Sequence, residues 1–225
     1  MNRTTYELLE KYMLSCVDAS AHDKEHIYRV LYNALEIARD EENVDYDILI
    51  TACLLHDIGR KEQLADPSLC HARVGGEKAY GFLRDNGFAE AFAANVRDCI
   101  VSHRFRKENL PQTPEAKILF DADKLDVTGA IGIARTLQYQ GQTDRPLYYL
   151  REDGKVSDGT GDLEESFFRE YKWKLEKIYD RFYTRKGLEL AKQRRETAVR
   201  IYEELRREVS EPYLTGREEL KNFVK

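Results

Sequence analysis

Cysteine is scarce in this chain, and the four that occur form no C-x-x-C motif: Cys16, Cys53, Cys70 and Cys99. Without that spacing we expect reduced thiols in a cytosolic protein and no disulfide framework. The longest apolar run is far shorter than the roughly 18 residues that a membrane helix needs. The N-terminal M-N-R-T-T-Y-E-L-L-E also lacks the apolar segment of a signal peptide. We therefore expect a cytoplasmic protein with no membrane partner.

A surplus of positive charge is missing as well. The chain has 36 Lys and Arg residues against 41 Asp and Glu residues, and its formal net charge is -5. Such a balance gives no general attraction to nucleic acid or to an anionic membrane, and no basic stretch is interleaved with aromatic residues. The expected partner is therefore a small molecule and not a nucleic acid.

The alternating apolar pattern of a long strand is absent, and the helical period occurs nearly throughout the 225 residues. Asp45 is a plausible N-cap, and Gly59 is expected to end the following helix in the left-handed conformation. Helices are predicted over 6–17, 23–38, the residues after Asp45, 73–86, 89–103, 114–126, 129–140, 163–183 and 185–210. The prediction is an all-α protein with one domain over 1–225, a core of about 20–140 and a C-terminal helical extension of about 163–210.

Two segments interrupt the helical pattern. Residues 63–70 are predicted to form a loop with a turn at Asp66-Pro67-Ser68. Residues 141–162 are rich in glycine, and 147–150 followed by Asp153-Gly154 favours a small hairpin. A surface loop and a lid over a site are both open interpretations of this second segment.

Acidic and imidazole residues occur together in a suggestive pattern. His56 and Asp57 end the apolar run I-L-I-T-A-C-L-L, where metal ligation is the most economical reason to place such groups against a core. His26 precedes the pair, and Asp123 follows it in D-A-D-K-L-D, three residues before Asp126 on one helical face. Two imidazoles and two carboxylates form a mixed nitrogen and oxygen ligand set for a divalent ion.

These residues resemble the signature of the HD-domain superfamily of metal-dependent phosphohydrolases, which is His, then His-Asp, then Asp. The flanking sequences H-D-K-E-H-I-Y-R-V, A-C-L-L-H-D-I-G-R-K and D-A-D-K-L-D-V-T-G-A-I-G agree over about 20–140. The C-terminal F-F-R-E-Y-K-W-K-L-E-K-I-Y is similar to the small stand-alone bacterial branch typified by YedJ and YpgQ. The resemblance implies one divalent metal ion (Mn, Fe, Zn, Co, Ni or Mg) bound by His26, His56, Asp57 and Asp123.

The resemblance leaves the roles of His71 and His103 open. In binuclear members of the superfamily, histidines at comparable places hold a second metal ion. In mononuclear members they contact the phosphate or act as a general acid, and a structural role is a third interpretation. Asp57, as a ligand, can also orient the attacking water, so Asp57, His71 and His103 are the candidate catalytic residues.

Phosphoryl transfer also needs cationic groups that meet the growing negative charge. The candidates for substrate binding are Arg60, Lys61, Arg104, Arg106 and His22, although each could instead be an ordinary surface residue. Lys124 and Arg29 are alternatives, and both could equally be ion-pair partners of Asp126 or another carboxylate.

Departures from sister branches narrow the expected reaction. Arg60 and Lys61 stand where alarmone hydrolases carry a catalytic Glu-Asp pair, and no G-Y-P motif follows His103. We expect hydrolysis of a phosphoester or phosphoanhydride in a small phosphate substrate, with a dNTP or NTP cleaved to monophosphate and pyrophosphate as the leading class. The rivals are a regulatory domain that binds metal and nucleotide with little turnover, and a structural helical protein. Either a monomer or a homodimer fits the sequence.

Overall fold

A computed structural model describes residues 1–17, 24–104 and 109–224. Its α-helices are α1 (Arg3–Cys16), α2 (Lys24–Ala38), α3 (Tyr46–Leu55), α4 (Arg60–Ala65), α5 (His71–Asp85), α6 (Glu90–Ser102), α7 (Pro114–Leu125), α8 (Gly129–Gln142), α9 (Phe167–Trp173) and α10 (Arg185–Phe223). A 3₁₀ helix spans Leu175–Asp180, and no strand occurs in these ranges. The predicted all-α class is confirmed. None of the described helices is long and apolar enough to cross a bilayer.

The helices group into two compact units. The first unit comprises Met1–Asp126 with Phe182–Leu188, and the second comprises Val127–Arg181 with Glu189–Lys225. The expectation of a single domain over 1–225 stays a prediction. Every candidate site residue that the structure describes lies in the first unit.

Helix α3 is the central element of the first unit, and it contacts α1, α2, α5, α6 and α7. Its buried residues lie on all sides of the helix, as expected for an element surrounded by others: Ile48, Leu49, Thr51, Ala52, Cys53, Leu54 and Leu55. As predicted, Asp45 is its N-cap, and the carboxylate accepts hydrogen bonds from the N–H groups of Asp47 and Ile48. The C-terminal end of α3 therefore delivers His56 and Asp57 into the core.

The predicted role of Gly59 as a left-handed helix stop is wrong. Helix α3 already ends at Leu55, and Gly59 has φ -94° immediately before α4. Glycine is needed for a different reason, because a Cβ atom there would lie 2.3 Å from the carbonyl oxygen of His71 and 2.5 Å from the backbone nitrogen of Gly75. The predicted loop over 63–70 also begins too early, since α4 continues to Ala65.

The glycine-rich segment of the second unit forms a small hairpin, as predicted. Leu150 and Val156 make an isolated antiparallel bridge. The N–H of Gly154 donates to the carbonyl of Arg151 at 2.8 Å, and Gly154 has φ +75°, which suits glycine at this turn.

The C-terminal helices differ from their predicted bounds. The helix predicted over 163–183 is two shorter elements, because Ser166 caps the start of α9 and Lys174, with φ -124°, separates α9 from the 3₁₀ helix. Helix α10 continues past the predicted end at 210 to Phe223, with Pro212 inside it. Ion pairs between residues four apart, such as Arg207 and Glu211 at 2.8 Å, stabilise the exposed part of this helix.

Candidate metal centre

Three elements of the first unit bring His26, His56 and Asp123 together. The Nε2 atom of His26, on α2, lies 3.4 Å from Nε2 of His56 at the end of α3. The same Nε2 atom lies 3.5 Å from Oδ1 of Asp123 on α7. We call these three residues the first trio. Their ligand atoms all lie within 4.8 Å of one another, close enough to share one metal ion.

Asp57 lies between this trio and two further histidines. Its Oδ2 is 3.5 Å from Nε2 of His26 and 3.7 Å from Nε2 of His56. Its Oδ1 is 3.6 Å from Nε2 of His71 and 3.7 Å from Nε2 of His103. Asp57, His71 and His103 form a second trio with ligand atoms within 4.8 Å of one another. The buried carboxylate of Asp57 thus presents one oxygen to each group of histidines.

Backbone carbonyls fix the rings of His56 and His103. The Nδ1 atom of His56 is 2.7 Å from the carbonyl oxygen of Cys53, and that of His103 is 2.6 Å from the carbonyl oxygen of Ile100. A carbonyl oxygen only accepts hydrogen bonds, so each Nδ1 carries the proton. In the neutral imidazole the Nε2 atom then offers a lone pair.

Side chains fix the other two rings in the same sense. Nδ1 of His26 is 2.7 Å from Oδ2 of Asp126, and Nδ1 of His71 is 2.7 Å from Oε1 of Gln63. The amide nitrogen of Gln63 donates to the carbonyl of Leu69 at 3.0 Å, which orients the amide oxygen towards His71. Nε2 of His71 is buried and has no hydrogen-bond partner among the residues that the structure describes. A cation would complete this set, because the four Nε2 lone pairs and the nearby carboxylate oxygens are all electron donors.

The electrostatics of the centre favour neutral imidazoles at His56 and His71 and an ionised carboxylate at Asp123. Burial lowers the pKa of His56 to about 4 and that of His71 to about 2. Burial opposes ionisation of Asp123, but nearby positive charge, first that of the Lys124 ammonium, outweighs it and holds the pKa of that carboxyl well below its usual range. Nζ of Lys124 is 3.0 Å from Oδ2 of Asp123. These are the protonation states that metal binding requires.

The predicted substrate-binding residues lie in different surroundings. Arg60 donates from Nε to Oδ1 of Asp57 at 2.9 Å, so it contacts the second trio directly. Lys61 is exposed on α4. Nη1 of Arg104 is 3.8 Å from Sγ of Cys70, the residue before His71. His22 and Arg106, the other two candidates, lie outside the described residues.

Three residues around the centre were not assigned by the sequence. Asp126 contacts His26 and forms an ion pair with Arg29. The sequence left this ion pair as one of two alternatives for Arg29. Gln63 contacts His71, and nothing in its predicted loop indicated that contact. Asp121 turns away to the start of α10, where it accepts hydrogen bonds from the N–H groups of Tyr183 and Thr184.

Comparison with known proteins shows the family of this chain. The HD domain family model matches residues 24–128. The chain is 29% identical over 197 residues to YpgQ of Bacillus subtilis (strain 168), described as an uncharacterized protein, with 85% of this chain and 86% of YpgQ covered.

Solved structures give the same result. The crystal structure of Bacillus subtilis YpgQ in complex with ADP is similar to this chain, with a TM-score of 0.69, 29% identity and coverage of 91% of this chain and 97% of that one. A structure described as a "predicted HD superfamily hydrolase" from an uncultured Thermotogales bacterium has a TM-score of 0.60 and 30% identity, and the match covers 93% of this chain and 100% of that one. With its signature residues brought together at one centre, the chain belongs to the HD-domain superfamily of hydrolases.

Proposed function

We propose that this protein is a divalent-metal-dependent phosphohydrolase in which the first trio and Asp57 hold the ion. The observation that carries the proposal is the convergence of two lone-pair Nε2 atoms, from His26 and His56, with carboxylate oxygens of Asp57 and Asp123. This donor set suits Mn, Fe, Zn, Co or Ni, and suits Mg less well because Mg prefers an oxygen shell. When bound, such an ion polarises a phosphoryl oxygen and activates water for attack near neutral pH.

We assign His71 and His103, with Asp57, to a second divalent ion. The acceptors at Nδ1 keep a proton on that nitrogen in both rings, so Nε2 of the neutral ring offers its lone pair to an ion. Acid catalysis would need the imidazolium form, and burial lowers the pKa of His71 to about 2, which disfavours that form. The Nε2 atoms of His71 and His103 also lie 3.6 and 3.7 Å from Oδ1 of Asp57, and this convergence supports metal ligation at these positions. The carboxylate of Asp57 would serve both ions, since its two oxygens face different histidine pairs.

Three cations of the first unit can meet the charge of a phosphate substrate. Arg60 and Lys124 are each hydrogen-bonded to a carboxylate of the centre, and neither is fully buried. Arg104 is held beside the second trio through Cys70. Fixed cations around a polar centre stabilise developing phosphoryl charge without reorganising during the reaction.

A nucleotide is the substrate class that we propose. The support comes from the ADP complex of YpgQ, which this chain resembles over 91% of its length. Cleavage of a dNTP or NTP to monophosphate and pyrophosphate is the specific reaction to test first.

A regulatory domain that binds metal and nucleotide with little turnover is the second candidate. The observation that favours it is the 2.9 Å contact between Nε of Arg60 and Oδ1 of Asp57. A guanidinium there competes with a metal ion for the same oxygen, and this competition would lower occupancy of the second trio.

The deciding experiment is hydrolysis of a panel of dNTPs, NTPs, monophosphates and cyclic nucleotides with Mn, with every product identified. Asp123→Ala tests the centre, and Asp98→Ala, an exposed carboxylate paired with Arg97 on α6, is the matched control. Turnover that Asp123→Ala abolishes and Asp98→Ala retains would support the proposed enzyme. Bound metal without turnover would favour the regulatory domain, and absence of metal binding would contradict both.

A further inference from the structure

Resting on the metal site proposed above, we infer that Asp126 is a positioning residue for His26 and that Arg29 fixes Asp126 in turn. This assigns a separate role to the last carboxylate of D-A-D-K-L-D. Asp126 would act through the ligand His26 and not through direct contact with metal or substrate.

The contact between Asp126 and His26 is short and buried. Oδ2 of Asp126 is 2.7 Å from Nδ1 of His26, and the two residues are 1% and 0% exposed. Burial strengthens this hydrogen bond, because the surroundings have a low dielectric constant. Burial also excludes water, which could otherwise replace Asp126 as the partner of the imidazole. The ring of His26 is therefore oriented by Asp126, and its Nε2 atom faces Asp57 and Asp123, each at 3.5 Å.

Arg29 fixes the plane of the Asp126 carboxylate. Its Nε donates to Oδ1 at 2.8 Å and its Nη2 donates to Oδ2 at 3.0 Å, which is the two-point geometry that a guanidinium makes with a carboxylate. Arg29 follows His26 by three residues on α2, so both side chains lie on one helical face. The carboxylate of Asp126, at the end of α7, thus contacts both His26 and Arg29, which lie one turn apart on α2.

Two explanations of this cluster predict different measurements. A purely structural ion pair between α2 and α7 would change the stability of the fold and leave the metal affinity of folded protein unchanged. A positioning role would lower metal affinity in protein that is still folded, because partners behind a ligating histidine typically contribute about 10- to 100-fold in affinity.

Asp121 provides a matched control on the same helix. Asp121 is 0% exposed, and it accepts several hydrogen bonds, as Asp126 does. Its substitution therefore also removes a buried carboxylate. Its described hydrogen bonds go to Tyr183 and Thr184 at the start of α10, with the Thr184 hydroxyl at 2.6 Å, and not to either trio. Asp121→Asn therefore measures the cost of disturbing a buried carboxylate of α7 away from the metal ligands.

The test is titration calorimetry with Mn on the full chain, with thermal unfolding recorded for each variant. Asp126→Ala is expected to weaken binding about 10- to 100-fold, and Asp126→Asn less, because its amide oxygen still accepts from Nδ1. Arg29→Gln is expected to give a smaller loss, and Asp121→Asn is expected to lower the unfolding temperature with unchanged affinity. If Asp126→Ala does not fold, the comparison between Asp126→Asn and Asp121→Asn carries the test.

Unchanged affinity in the Asp126 variants, or an equal loss in Asp121→Asn, would overturn the inference. Wild-type protein that binds no Mn would instead overturn the proposed metal site itself. The two failures are distinguishable because the wild-type titration is measured first and separately.

Discussion

Gly59 and His71 approach so closely that a Cβ atom on Gly59 would lie 2.3 Å from the His71 carbonyl oxygen. The three nearest neighbours of that missing Cβ are all backbone atoms, because the nitrogen and Cα of Gly75 would lie at 2.5 and 3.1 Å. Backbone atoms cannot rotate away as the end of a side chain can. This contact therefore sets the distance between the start of α5 and the turn that carries Asp57. The same distance determines how closely the His71 side chain approaches Asp57.

Gly59→Ala is predicted to displace the start of α5 and to weaken the second trio more than the first. We expect one bound Mn per chain where the wild type binds two, together with a loss of stability of about 1–3 kcal/mol from overpacking. Metal content after equilibrium dialysis and denaturant unfolding measure the two effects.

The control for this substitution is Gly81→Ala on α5, where a Cβ would meet nothing within 4 Å. Alanine there should stabilise the helix by about 0.5–1 kcal/mol and leave metal content unchanged. Two ions retained in Gly59→Ala would show that the glycine contact does not position His71.

Gln63→Leu is predicted to weaken the second metal ion while retaining the first. The substitution removes the Oε1 acceptor that holds Nδ1 of His71 at 2.7 Å, so the ring can turn or change tautomer. Loss of such a partner typically costs about 10-fold or more in metal affinity. Calorimetry would show this as a change in the weaker binding step alone. Gln193→Leu, exposed on α10, is the control, and an unaltered isotherm in Gln63→Leu would contradict the prediction.

Divalent metal is predicted to raise the thermal stability of the protein, because the ligands are assembled only in the folded chain. Free metal at one hundred times its dissociation constant adds about 2.7 kcal/mol. For a chain of this size that corresponds to a rise of roughly 5–11 °C in the unfolding temperature. The measurement is thermal unfolding in chelator and in Mn, and the shift should vanish in Asp57→Ala. A shift of equal size in that variant would mean that the stabilising ion binds elsewhere.

Arg104→Gln is predicted to raise the KM for a nucleotide by about 10-fold or more, because a charged hydrogen bond to phosphate contributes about 1.5–3 kcal/mol. Steady-state kinetics on the substrate found in the panel would measure it. Arg97→Gln is the control, since Arg97 lies on α6 and pairs with the neighbouring Asp98. Equal KM values in the two variants would place Arg104 outside the substrate site.

Much of the fold could be predicted from local chemistry. The apolar periods located the longer helices of the first unit but missed the short α4. The Asp45 N-cap could be recognised because capping needs only the side chain and the next few amides. The break at Lys174 between α9 and the 3₁₀ helix could not be predicted from the sequence, because the apolar stripe continues through it. Gly59 was recognised as special for the wrong reason, since its constraint comes from His71 on another element.

The sequence by itself determined the all-α class and named the candidate ligand residues, because helical periodicity and the His, His-Asp, Asp signature can be recognised from residue types and their order alone. Only the tertiary structure decided which atoms meet. Asp57 presents a different oxygen to each histidine pair, and Asp126, Gln63 and two backbone carbonyls leave every Nε2 lone pair facing the centre. These relationships depend on how α2, α3, α5, α6 and α7 pack, and packing over long sequence separations leaves no local pattern to read.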